Sequence, residues 1–148
     1  MWLAARRRIW TSERRAQHGL QLHADPCHLC AQGIDEVEHL SVQCVYTSQV
    51  WHSCRTMTGL PITIPTQHDH LESWWLRERA LLAKEERRRL DSWVLLTSWN
   101  VWKQQNARVF GNTAQQCNED VLAAKTVADM KLWSQAGLGD GDGVQDLA

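Results

Sequence analysis

Cys27, Cys30, His39 and Cys44 follow one another in the order C-x2-C-x8-H-x4-C. Two thiols separated by two residues can reach a single ion from a tight turn, and the second pair can close the other half of a tetrahedron. Three sulfurs and one imidazole nitrogen suit Zn2+, one per chain. Four protein ligands leave no vertex for water or substrate, so such an ion is structural and not catalytic. The competing reading is a pair of buried or redox thiols beside an ordinary surface histidine. A second ligand pair so close in sequence favours the metal. His28 points away from an ion that Cys27 and Cys30 share, and both His28 and Leu29 are expected to be exposed between them.

Other chemistry is missing. The chain has no Gly-rich phosphate loop, no Gly-x-Ser-x-Gly elbow and no His-Glu-x-x-His helix. The adjacent acids Asp35 and Glu36, or Glu85 and Glu86, fall on different helix faces or in charged runs, so paired-carboxylate catalysis has no support. The sequence is expected to be no enzyme. The Gly/Asp run after Gly137 lacks the Glu that closes an EF-hand loop.

The elements that must position the four ligands can be read from spacing. Thr11 or Ser12 caps a short helix that Gly19 ends. Asp35-x-x-Glu38 has the outline of a capping box that would place His39 on the first turns of a helix. Val50, Trp51, Cys54 and Met57 share one face of a helix from about Thr47 to Thr58, stopped by Gly59, which makes Cys54 a core residue and not a fifth ligand. Pro61-Ile62-Thr63-Ile64-Pro65 cannot be helical, because each proline also excludes its predecessor from the α region.

Beyond that break, Leu71, Trp74, Trp75, Leu81 and Leu82 recur at helical spacing. A stretch from about Lys84 to Arg108 is apolar over more than half its circumference and should be the central helix, with Trp93 and Trp99 in the core. Thr113 or Asn118 caps a last helix with the expected face Val121, Ala124, Ala128, Leu132 and Trp133. The fold class is therefore mainly α, a small zinc knuckle embedded between short helices and followed by a Trp-rich helical segment. Residues 1–58 are expected to form a zinc-binding domain truncated at its N-terminus, 59–70 a Pro-containing linker, 71–136 the helical segment and 137–148 a disordered Gly/Asp tail.

The totals fit an ordinary small domain: 148 residues, 43% apolar, and nine Trp against one Tyr and one Phe, so Trp supplies much of the buried area. No apolar run approaches the ~18 residues of a membrane span, and the arginines near the start are not followed by a signal-peptide core. An intracellular setting, nuclear or cytoplasmic and not secreted, is expected, with Cys54 and Cys117 as reduced thiols.

Net charge is −1 but unevenly spread. Arg6, Arg7, Arg8, Arg14 and Arg15 make the most basic local cluster, either a solvated helix face or a phosphate-contacting patch beside the knuckle. A second basic run, Arg87 to Arg89, is offset by Glu85 and Glu86. Lys103, Gln104, Gln105, Asn106 and Arg108 either form a binding face or suit a helix C-terminus. A metal-fixed turn beside arginines and tryptophans is suited to RNA or single-stranded DNA, since cations track phosphates and indoles stack on unpaired bases.

The order Trp2-Leu3-Ala4-Ala5-Arg6, Cys27-His28-Leu29-Cys30, Val37-Glu38-His39-Leu40, Cys44 and Val50-Trp51 resembles the zinc-binding domain found C-terminal to the reverse transcriptase of plant non-LTR retrotransposons. Trp99-x-x-Trp102-Lys103-x-x-Asn106-Ala107-Arg108-Val109-Phe110 is similar to the stretch that follows that domain, so the resemblance spans most of residues 2–110. It implies the same four metal ligands. Gln105 stands where the family often has arginine, which removes a charge from the suspected binding face. The polymerase's Tyr-x-Asp-Asp box is missing, since Tyr46, the one tyrosine, precedes Thr-Ser-Gln. The resemblance thus implies a C-terminal piece of such an element that binds nucleic acid. The alternatives are a zinc-stabilised folding module that docks on a polymerase, or a remnant with no selected function.

Overall fold

A computed structural model describes residues 10–137. Arg6, Arg7, Arg8 and the expected tail from 138 onward lie outside the described residues. Among the described residues there are five α-helices: α1 (Ser12–Gln17), α2 (Val45–Thr58), α3 (Leu71–Ala80), α4 (Lys84–Val109) and α5 (Glu119–Gln135). A π-helical turn (His39–Gln43) precedes α2 and a short 3-10 turn (Thr113–Gln115) precedes α5. The described residues contain no β-strand, only an antiparallel bridge between Pro26 and Ile34. None of the described helices is long and apolar enough to cross a membrane.

Local signals account for three of the helix ends. Thr11, not Ser12, caps α1, its hydroxyl accepting the Arg14 N–H at 3.3 Å. Asn118, not Thr113, caps α5 by accepting the Val121 N–H at 2.9 Å. Gly59 stops α2 with φ of 65°, a left-handed value that costs an L-side chain about 1 kcal/mol and glycine little.

The expected capping box is not made. Asp35 instead accepts the Ser12 N–H on its side chain and the Glu13 N–H on its carbonyl, at the start of α1. Glu38 accepts the Leu71 N–H at 2.9 Å, at the start of α3. Both acids do satisfy helix N-termini, where orphan donors and the helix dipole favour them, but on elements far away in sequence.

Three tryptophans from three helices meet at the centre. Trp51 of α2 lies 5.1 Å from Trp74 of α3 and 5.2 Å from Trp93 of α4, all three fully buried. Tilted pairs of this kind contribute about 0.5–1.5 kcal/mol beyond the area they bury. Trp51 and Trp74 donate their indole N–H groups to the carbonyls of Ser41 and Thr63, so neither burial leaves that donor unpaired. Helix α4 is central as expected, touching α2, α3, α5 and both short turns. Leu60, Ile62 and Ile64 are buried in the same core, which therefore runs unbroken through the proline segment.

Two expected faces are corrected. Trp99 is 50% exposed, not a core residue, because the inward faces of α4 are taken by Leu90, Trp93, Val94, Leu96, Thr97, Asn100, Val101, Gln104 and Gln105. On α5 the buried stripe is Leu122, Ala123, Thr126, Val127 and Met130, while Val121, Ala124, Ala128 and Leu132 face outward and Trp133 is partly buried. Two adjacent stripes of α5 are apolar, and periodicity cannot choose between them. The inward one offers a small residue, Ala123, whose carbonyl lies 3.7 Å from Cys54 Sγ, and a hydroxyl, Thr126, that accepts from Asn100. Met57, expected on the same face as Val50, Trp51 and Cys54, is also exposed, near the end of α2.

Candidate metal centre

The knuckle is a closed loop. Asp35 N–H donates to the Asp25 carbonyl at 3.0 Å and Cys27 N–H to the Gly33 carbonyl at 2.7 Å, so both strands of the turn return to the same place. Ala31 N–H donates to the Cys27 carbonyl at 2.8 Å, and Ala31 takes a left-handed φ of 59° to do so. That conformation costs an alanine roughly 1–2 kcal/mol. It brings Cys30 back onto Cys27.

His39 and Cys44 arrive from the other side, at the two ends of the π-helical turn. Cys44 N–H donates to the His39 carbonyl at 2.7 Å, a wide turn that sets the two side chains toward the same point. The turn is held from below, Thr47 Oγ1 donating to the Leu40 carbonyl and Trp51 Nε1 to that of Ser41. Gly33 supplies the remaining space: a methyl there would overlap Cε1, Nδ1 and Nε2 of His39. The glycine is needed for that close approach, not for its backbone freedom.

The four donor atoms, Cys27 Sγ, Cys30 Sγ, Cys44 Sγ and a ring nitrogen of His39, all lie within 4.8 Å of one another. Cys27 and Cys44 sulfurs are 3.9 Å apart, and Cys30 Sγ is 3.2 Å from His39 Nε2. A tetrahedral ion with sulfurs at about 2.3 Å and nitrogen at about 2.0 Å has an S–S edge of roughly 3.8 Å and an S–N edge of roughly 3.5 Å; the sulfur pair is close to the first and the Cys30–His39 pair slightly inside the second. Cys27, Cys44 and His39 are buried and Cys30 is half-buried. The residues fit an enclosed four-ligand site.

Electrostatics agree with the geometry. The Cys27 thiol is held far below its ordinary pKa, first by its hydrogen bond with Cys44, against the opposing effect of burial, while Cys44 is pushed up by that same bond and by burial. A divalent ion is what would allow all the thiols to be thiolates in so buried a place.

Surrounding contacts come from elements that the spacing argument did not connect to the knuckle. Gln105 of α4, only 1% exposed, accepts the His28 N–H at 3.0 Å through Oε1, which also lies 3.9 Å from Cys27 Sγ. Arg108 donates to the carbonyls of His28 and Cys117 and sits over the Tyr46 ring. Gln104 clamps the other side, bonding the backbone of Gln115 and Cys117. The suspected binding face from Lys103 to Arg108 is thus divided: Gln104, Gln105 and Arg108 hold loops onto α4, while Lys103 and Asn106 are only half-buried. No sequence signal marked Gln105 as internal, since glutamine is ordinarily a surface residue.

Of the expected arginine patch, Arg14 lies over the Trp10 ring and Arg15 donates to Gln21 Oε1 with Asp35 3.9 Å away. Ser12 Oγ, bonded to the Asp25 backbone, keeps α1 against the base of the knuckle. His28 is exposed as expected, but Leu29 is not; it is buried in the core, because the turn is packed onto the helices with that side chain inward. Cys54 and Cys117 are free thiols, Cys54 fully buried and Cys117 partly so.

No curated protein and no solved structure matches the chain. Residues 1–51, which carry all four candidate ligands, match the model of the family described as zinc-binding in reverse transcriptase.

Proposed function

We propose that the chain is a zinc-stabilised module that binds RNA or single-stranded DNA, without catalysis of its own, and that it derives from the C-terminal region of a plant non-LTR retrotransposon reverse transcriptase protein acting inside the cell. One observation carries the reading: three thiols and one imidazole converge with no vertex left for a substrate, inside the segment that matches a reverse transcriptase zinc-binding family. Zinc is the ion that this donor set suits best. Its role is to fix a turn that has too little apolar content to fold alone, and binding of such an ion contributes on the order of 10 kcal/mol to folding. Catalysis would then belong to a polymerase, and this module would contribute contact with the template or product strand.

A second reading is a folding or docking module that contacts a reverse transcriptase and no nucleic acid. The outward stripe of Val121, Ala124, Ala128 and Leu132 on α5 favours it, since four apolar side chains in register are suited to another protein surface. Titration of the zinc-loaded chain with single-stranded RNA at low and high salt separates the two. The nucleic-acid reading expects saturable binding that weakens as salt rises. Absence of saturable binding at either salt overturns it.

A further inference from the structure

The described tryptophans differ widely in exposure. Trp51, Trp74 and Trp93 are fully buried, whereas Trp10 is 47% and Trp99 50% exposed, and Trp102 is half-buried between them. Trp102 is linked to each of the other two, to Trp99 through its ring and to Trp10 through the backbone. Trp99 and Trp102 rings are 5.1 Å apart with a 32° tilt, Trp102 Nε1 donates to the Trp10 carbonyl at 3.0 Å, and Trp10 meets His18 edge-on at 5.5 Å. Half-exposed indoles contribute less to the fold than the buried three and cost solubility.

Cations are interleaved with the rings. Arg14 lies 5.3 Å over Trp10 and Lys103 Nζ 5.7 Å over Trp99. Lys103 also lines a cavity of about 340 Å³ together with Lys125, so two ammonium groups are brought to one place. Burial and the charge of Lys125 both push the Lys103 pKa down, and Asp129 opposes this only in part. Like charges held together in this way are relieved by an anion.

We infer that Trp10, Trp102 and Trp99, with Arg14, Lys103 and Lys125 beside them, form a stacking ledge for single-stranded nucleic acid, with bases on the indoles and phosphates on the cations. The inference rests on the nucleic-acid reading above and moves the main contact from the arginines near the knuckle to the outer face of α4. Alternation of rings and cations is the pattern of a single-strand groove, because every base has a π-face and every linkage a charge. A protein partner suits the surface less well: an apolar interface would have to desolvate the Lys103 and Lys125 ammonium groups without phosphates to pair with them. Trp10 and Trp102 join α1 to α4, so the ledge exists only once the knuckle has folded.

The test is fluorescence anisotropy of labelled oligouridylate and oligothymidylate with the full zinc-loaded chain at two salt concentrations. Trp99→Ala and Trp10→Ala are each expected to weaken binding roughly 10-fold or more, and Trp99→Phe to retain most of it. Lys103→Gln with Lys125→Gln should flatten the salt dependence by about 1.4 units of slope, two single-strand phosphate contacts. Zinc content and thermal midpoint of each variant show whether it is folded, and the lysine pair serves if a Trp variant is not. Wild-type binding that none of these changes alters overturns the ledge and leaves the nucleic-acid reading standing. Failure of the wild type to bind either oligonucleotide overturns both, and self-association of the wild type that Trp99→Ala abolishes would then mark the ledge as a protein interface.

Discussion

Gln105 Oε1 accepts the backbone N–H of His28 at 3.0 Å, across 77 positions of sequence. The bond ties the end of the central helix to the turn between the first two candidate ligands, and it does so from a side chain only 1% exposed. Gln105→Leu keeps the volume and removes the acceptor, leaving the His28 N–H without this partner. Residues around a metal site that orient its ligands typically account for 10- to 100-fold in affinity, and a loss in that range is expected here. Competition with a zinc chelator measures it. Conversely, removing the metal should speed hydrogen exchange at the C-terminal turn of α4, near Gln105 and Arg108.

Gly33 makes room for the His39 ring, and an added methyl would overlap three of its atoms. Gly33→Ala is therefore expected to displace the imidazole and to lower zinc affinity by at least about 10-fold, with a weaker ligand-field spectrum for the Co2+-substituted chain. Gln32→Ala, at the exposed neighbouring position, keeps the backbone N–H that meets Cys30 Sγ and should bind metal normally.

Trp93 and Trp99 are six residues apart on one helix and differ in exposure, one fully buried and the other 50% exposed. Trp93→Ala should cost about 3–5 kcal/mol of stability, as expected for an emptied aromatic site in a core. Trp99→Ala should cost under ~0.5 kcal/mol. Denaturant melts of the two variants decide this, and equal losses would contradict the packing of α4.

Burial pushes the Cys54 thiol up from about 9 to about 11, with the Trp93 indole opposing it. Cys54 should therefore resist alkylation in the folded chain at neutral pH, while the partly exposed Cys117 reacts. The pH dependence has a definite sign. A raised thiol pKa favours the protonated folded state, so this contribution is fully present below the unfolded value near pH 9 and is lost as pH rises toward 11. The loss amounts to about 2–3 kcal/mol. The difference between wild-type and Cys54→Ala stabilities, followed from pH 8 to about 11, isolates it.

Much of the chain is legible in its sequence. Ligand spacing marks Cys27, Cys30, His39 and Cys44 because a tetrahedral ion tolerates few separations, and the structure brings all four together. Thr11, Gly59 and Asn118 end helices because orphan backbone groups must be satisfied locally. Tertiary structure alone decided which of two apolar stripes on α5 faces inward, and that Trp99 does not. Each choice depends on the shape of the opposing surface, here Cys54 against Ala123 and Asn100 against Thr126, which periodicity does not contain. The same holds for Asp35, Glu38 and Gln105. Each has an evident hydrogen-bonding capacity in the sequence, but its partners, Ser12, Leu71 and His28, become neighbours only when distant segments pack together.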